Sequence, residues 1–315
     1  MADLKLKTVT RTQGNNRALK DGTVKPAMCD LEFIEVDPLI EAFRRMVRGL
    51  EFDVCELALT TYITAKEHGK RFTALPIFLQ RAFHHGAILV NTKSGIKAPK
   101  DLEGKRVGVS RGYTVTTGVW ARAILEQQYG VDLRKITWVL SGDEHVAEFE
   151  APGNVVPMEK GRKMADLLAS GELPAAINLE CDSPDVKPLI ANPQQAAFHA
   201  LAEHGLYPIN HTIVVKDELL AKHPGLGADI FRAFSESKRL YVDKLKAGRI
   251  EKMTPTDEMY QRVAGITGRD PLPYGIEPNR AVLDNLIASA LEQGILKRPV
   301  KVDDLFARET LGLVG

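Results

Sequence analysis

Short runs rich in Val, Ile, Leu and Phe alternate with stretches of helical spacing along most of the chain, and this alternation most limits its fold. Leu4 to Val9 and Leu31 to Val36 read as strands. Pro38 opens a helix through Leu39, Phe43 and Val47 that ends near Gly49, and Phe52 to Thr61 reads as a strand running into a helix. Phe72 to Val90 holds two apolar runs around a polar segment with Arg81, His84 and His85. Cation and imidazoles therefore sit where one strand ends and the next begins, a position at which rigid sheets usually carry chemistry. Further strands are expected at Ile136–Leu140, Ala175–Asn178 and Pro208–Val215, with only helices after the last of them. Strands alternating with helices imply an α/β sheet architecture.

A chain of 315 residues suggests two domains or one large one. The strands at about 86–91 and 208–214 bracket a central block, which reads as a domain inserted into the first. The expected division is residues 1–90 with 213–315, and 91–212. The formal net charge of +1, with no basic patch, offers no case for nucleic acid. No apolar run approaches membrane-spanning length, and the start lacks a basic stretch followed by an apolar one, so no membrane partner and a cytoplasmic location are expected. Cys29, Cys55 and Cys181 are far apart and read as reduced core thiols.

G-x-S-x-G, H-E-x-x-H, P-loop and dinucleotide G-x-G-x-x-G patterns are all missing, so nothing points to nucleotide or flavin. On a strand His84 and His85 would face opposite sides and make no natural metal pair. His211 starts the strand that returns from the central block, where it could meet them. Each is either a functional imidazole or a hydrogen-bonded structural one. Arg11 and Arg17 flank a loop after the first strand and could grip a carboxylate, or be solvated loop arginines. Ser110 and Thr114 stand in a glycine- and hydroxyl-rich turn before a helix, and Thr60 and Thr61 at a similar turn. Both turns could cap a helix or bind an anion. Glu180 follows a strand as a candidate base or a surface carboxylate, and Trp120 and Trp138 read as core.

Asp101–Val109 is similar to the second-domain entry of type II periplasmic solute-binding proteins of ABC transporters, and Pro208–His211 with Val214-Val215 to their return crossing. More closely, the chain resembles the 4,5-dihydroxyphthalate decarboxylase family, through Arg17–Gly22, Phe52–Glu56, Leu75–His85, Val119–Leu125, Tyr129–Val131, Pro273–Arg280, Glu292–Gly294 and Asp304–Phe306. The resemblance implies a two-lobed periplasmic-binding-protein-like α/β fold with a hinge of two crossover strands and a cleft between lobes. It also implies loss of CO2 from 4,5-dihydroxyphthalate to give 3,4-dihydroxybenzoate.

Protonation of the ring carbon by a general acid would precede that loss, with a para hydroxyl pushing electrons. The substrate's own phenol is the electron sink, so no cofactor is required and no metal is indicated. The expected roles are His85 or His211 as acid, with the other and His84 at the phenolic oxygens. Arg11 and Arg17 would hold carboxylate. Arg81, Thr60, Thr61, Ser110 and Thr114 complete the substrate contacts, and Glu180 is a candidate base. The expected partner is a small aromatic dicarboxylate, and homo-oligomerisation stays open. Two other readings compete: a solute-binding module without turnover, and a metal-dependent decarboxylase or hydrolase.

Overall fold

A computed structural model of the protein describes residues 4–315. In chain order it contains β1 (Lys5–Val9), α1 (Arg17–Lys20), β2 (Asp30–Phe33), α2 (Leu39–Gly49), β3 (Val54–Ala58), α3 (Leu59–Glu67), β4 (Phe72–Arg81) and β5 (Ile88–Asn91). There follow β6 (Arg106–Val109), α4 (Thr116–Tyr129), β7 (Thr137–Leu140), β8 (Val155–Pro157), α5 (Met164–Ser170), β9 (Ala175–Ile177), β10 (Val186–Pro188) and α6 (Pro193–His204). The chain closes with β11 (Ile209–Lys216), α7 (Asp217–Lys222), α8 (Leu226–Lys246), α9 (Pro255–Thr267) and α10 (Arg280–Glu292). No strand occurs after β11 among the described residues, and the short β8 and β10 are strands that apolar periodicity does not reveal, β8 lying where the sequence reads as polar and irregular.

These elements form two compact units. The first holds the chain up to Arg81, then Ile209–Asp284 and Val300–Gly315. Its sheet has the order β2-β1-β3-β11-β4. β2, β1 and β3 run parallel, and β11 runs antiparallel to both β3 and β4. β3 is buried at all five positions, as expected of a central strand covered on both faces. α2 presents Leu39, Ala42, Phe43, Met46 and Val47 to the core, the stripe that a 3.6-residue period places on one side. α9 starts with a capping box in which Thr254 Oγ1 accepts from the Asp257 N–H at 3.2 Å and Asp257 Oδ2 accepts from the Thr254 N–H at 2.8 Å.

The second unit holds Ala82–Pro208 and Asn285–Pro299, around a sheet of order β10-β5-β9-β6-β7-β8. β9, β6, β7 and β8 are parallel, while β5 pairs antiparallel with β9 and β10. Trp120 and Trp138 are both buried in this unit. α4 ends where Gly130 takes the left-handed conformation at φ 65°, which costs glycine little. Cys29 and Cys55 are buried free thiols, and burial pushes Cys29 up to about 12. Cys181 departs from the expected core position: it follows β9 in a partly exposed loop.

Candidate active site

In the first unit the chemistry gathers where β1 and β3 end, the carboxyl edge at which open α/β sheets bind ligands. Glu56 lies in the middle of β3 and is fully buried. A carboxylate there is costly unless it is paired. Its Oε1 accepts from His211 Nδ1 at 2.7 Å and from Gln13 Nε2 at 3.4 Å, and its Oε2 accepts from the Arg11 backbone N–H at 2.9 Å. Bonding to an acceptor-only carboxylate fixes Nδ1 as the protonated nitrogen and leaves Nε2 of His211 for chemistry. The His211 side chain keeps 14% of its surface exposed. The ring of Phe43 meets it edge-on at 5.3 Å between centroids.

Several expected site residues lie in the same unit. His211 lies opposite Ala58 on β3, directly before α3, and both Thr60 and Thr61 are buried in the first turn of that helix. Arg81 ends β4, opposite Ile209, and is almost fully buried. Its guanidinium donates to Asn279 Oδ1 and stacks 5.9 Å from the Phe78 centroid. Arg11 contributes its backbone N–H to Glu56 while its side chain is exposed, and Arg17 is exposed at the start of α1. The 10–16 loop is held by its own side chains: Asn16 Oδ1 accepts from the Gln13 N–H at 2.8 Å, and Asn16 Nδ2 donates to the Arg11 carbonyl at 2.8 Å.

The second unit gathers another set at the end of β9. The Ser110 N–H donates to the Ile177 carbonyl at 3.0 Å and the Asn178 N–H to the Ala87 carbonyl at 2.8 Å. These bonds bring Ser110, the 84–87 turn and the 178–180 segment to one strand end. Glu180 is exposed there. His84 and His85 do not lie on a strand, so the argument from opposite strand faces does not apply. β4 stops at Arg81, β5 starts at Ile88, and both histidines are buried in the connection. His85 Nε2 is 3.0 Å from Gln128 Oε1, and its Nδ1 is buried without a hydrogen-bond partner. Burial pushes the His85 pKa down and disfavours the charged ring, and opposite an amide oxygen Nε2 is the donor.

The turn before α4 does hold an anion, and the anion is the chain's own Glu144. The Tyr113 N–H donates to its Oε1, while its Oε2 accepts from the Thr114 N–H at 3.2 Å and from Thr114 Oγ1 at 2.6 Å. Gly112 makes room for it, since a Cβ there would fall 2.6 Å from Glu144 Oε2. Among the described residues no group of three His, Cys, Asp or Glu side chains could hold a metal ion, and no helix is long and apolar enough to cross a membrane. Sequence reasoning passed over Glu56, Gln13 and Glu144. Only Glu56 left a signal, as the single charge inside the run Val54–Ala58.

Comparison with known proteins accords with this architecture. A family model described as the periplasmic substrate-binding protein of a phosphonate ABC transporter matches residues 34–257. The solved structure of protein AF1704 from Archaeoglobus fulgidus aligns with a TM-score of 0.55 at 16% identity, over 93% of this chain and 98% of that one. A mutant of the desulfurization enzyme DSZB in complex with biphenyl-2-sulfinic acid aligns with a TM-score of 0.54 at 16% identity, over 98% and 97%. The alkanesulfonate-binding protein SsuA of Xanthomonas axonopodis pv. citri, bound to MOPS, gives 0.51 at 14%, over 98% and 99%. The class is thus a two-lobed α/β protein of the periplasmic-binding-protein fold.

Two curated proteins narrow it. The 4,5-dihydroxyphthalate decarboxylase of Comamonas testosteroni is 32% identical over 97% of each chain, and that of Pseudomonas putida is 35% identical over 58% of this chain and 75% of its own. The chain belongs to the 4,5-dihydroxyphthalate decarboxylase family, a family of carboxy-lyases.

Proposed function

We propose that the protein removes one carboxylate from 4,5-dihydroxyphthalate without oxidation, giving CO2 and 3,4-dihydroxybenzoate in phthalate catabolism. The observation that carries this reading is the Glu56–His211 pair at the carboxyl edge of the first unit's sheet, in a chain of this family. His211 as imidazolium delivers its Nε2 proton to the ring carbon that bears the leaving carboxylate. The hydroxyl para to that carbon supplies electron density, so the protonated ring is a stabilised cation. The carbon–carboxylate bond then breaks, its electron pair restores the aromatic ring, and CO2 departs. One proton is consumed per turnover, and His211 regains it from solvent. Glu56 holds the imidazole by Nδ1 and stabilises its charged form, as the carboxylate of a catalytic triad does.

The remaining roles follow from chemistry. Arg81, Arg11 and Arg17 are the cations for the substrate's carboxylates, and Thr60 and Thr61 are its hydroxyl donors. The chemistry calls for no cofactor, because the phenol lends electron density to the protonated ring and recovers it when the carbon–carboxylate bond breaks.

The second reading is an aromatic-carboxylate binding module without turnover. It is favoured by the match to a periplasmic substrate-binding family. Mixing the purified protein with 4,5-dihydroxyphthalate, with and without EDTA, and following CO2 and 3,4-dihydroxybenzoate separates them. Product that survives EDTA supports the decarboxylase. Binding without product overturns it in favour of the module, and product lost with EDTA overturns the metal-free mechanism.

A further inference from the structure

Two buried amide oxygens beside the Glu56–His211 pair accept no hydrogen bond. Gln80 lies on β4 opposite His211 on β11. The register of the two strands shifts on both sides of this pair, so Gln80 stands at an irregular point of the sheet beside His211, and its Oε1 is buried with no donor. Asn15 lies in the loop that carries Gln13 and is 2% exposed. Its Nδ2 donates to the carbonyl of Leu79, the residue before Gln80, at 2.8 Å. That bond fixes the turn of the amide and leaves Oδ1 as a second buried acceptor with no donor. An acceptor removed from water and given no donor is a net cost to folding, and native structures keep such groups mainly where a ligand or water completes them.

Both acceptors ask for hydrogen-bond donors, so an anion does not satisfy them. Resting on the proposed decarboxylase function, we infer that Gln80 and Asn15 form the subsite for the vicinal hydroxyls of the substrate ring and select dihydroxylated aromatic acids over their deoxy analogues. A hydrogen bond from the para hydroxyl to Gln80 Oε1 also raises electron density on that oxygen, in the direction protonation of the ring demands.

The test compares 4,5-dihydroxyphthalate with phthalate, which lacks both hydroxyls, by titration calorimetry and turnover in wild type, Gln80→Leu and Gln80→Glu. Thermal melting confirms that each variant is folded. The wild type should prefer the dihydroxy acid. Gln80→Leu should lose about tenfold or more of that preference, the range of one buried hydrogen bond, with phthalate affinity unchanged. Gln80→Glu, which keeps an acceptor, should retain most of it. Equal weakening of both ligands in Gln80→Leu, or an undiminished preference, overturns the subsite. A wild type that prefers the dihydroxy acid but forms no product, with the preference lost in Gln80→Leu, supports the subsite while overturning the decarboxylase. A wild type that forms product with its preference untouched by either variant does the reverse.

Discussion

Glu56 shows how much one residue decides. It is wholly buried in a central strand and held by three donors, one of them His211. In Glu56→Gln the amide oxygen can still take the His211 Nδ1–H, but it no longer stabilises an imidazolium, and the amide hydrogens oppose the Arg11 N–H. Turnover of 4,5-dihydroxyphthalate should fall by about 100-fold or more, with substrate affinity changed far less, in steady-state and binding measurements. His85 makes a separate prediction. Its pKa is lowered in the folded protein, so below the ordinary value of 6.5 the unfolded chain takes up a proton that the folded one refuses. Its contribution to stability is present above pH 6.5 and is lost as pH falls toward the lower folded value. His85→Gln should flatten that acid-side slope in urea titrations made between pH 5 and 7, bounds set about the ordinary histidine range.

At the scale of elements, the 10–16 loop is the support of the dyad, and its fit depends on Gly14. A Cβ at Gly14 would fall 2.2 Å from the Tyr241 ring on α8. That ring has little freedom, because its hydroxyl donates to Asp257 Oδ1 in the capping box of α9. Gly14→Ala should therefore move the loop, and with it the Arg11 N–H and Gln13 Nε2 that hold Glu56. We expect a destabilisation of about 1–3 kcal/mol by thermal melting, together with a fall in kcat larger than any change in KM. Strands and helices were widely legible from periodicity, since period 2 and period 3.6 are local properties. The three-residue β8 and β10 were not, because so short a run carries no period, and their pairing with β7 and β5 is what defines them.

For the whole molecule, each unit has its own sheet and its own core, and both tryptophans belong to the second. Tryptophan fluorescence therefore follows the second unit, while far-UV circular dichroism follows both. Phe72 is fully buried in the first unit, and Phe72→Ala should cost about 3–5 kcal/mol there. In that variant the dichroism transition should begin at lower denaturant than the fluorescence transition. Coincident transitions would instead show that the two units unfold as one. The assignment of 285–299 to the second unit lies beyond sequence reading, because an amphipathic helix does not say which core receives its apolar face.

The amino-acid order alone determined the α/β alternation, the strand ends that carry His211, Arg81 and Ser110, and the likeness to a carboxy-lyase family, because each is written in local spacing. Tertiary structure alone decided that Glu56 reaches His211 across 155 positions of sequence, that Glu144 fills the turn before α4, and that His85 is sealed from solvent. A carboxylate, an amide and an imidazole look alike in sequence whether buried or exposed. Their chemistry depends on partners that only the packing of distant strands brings within hydrogen-bond reach.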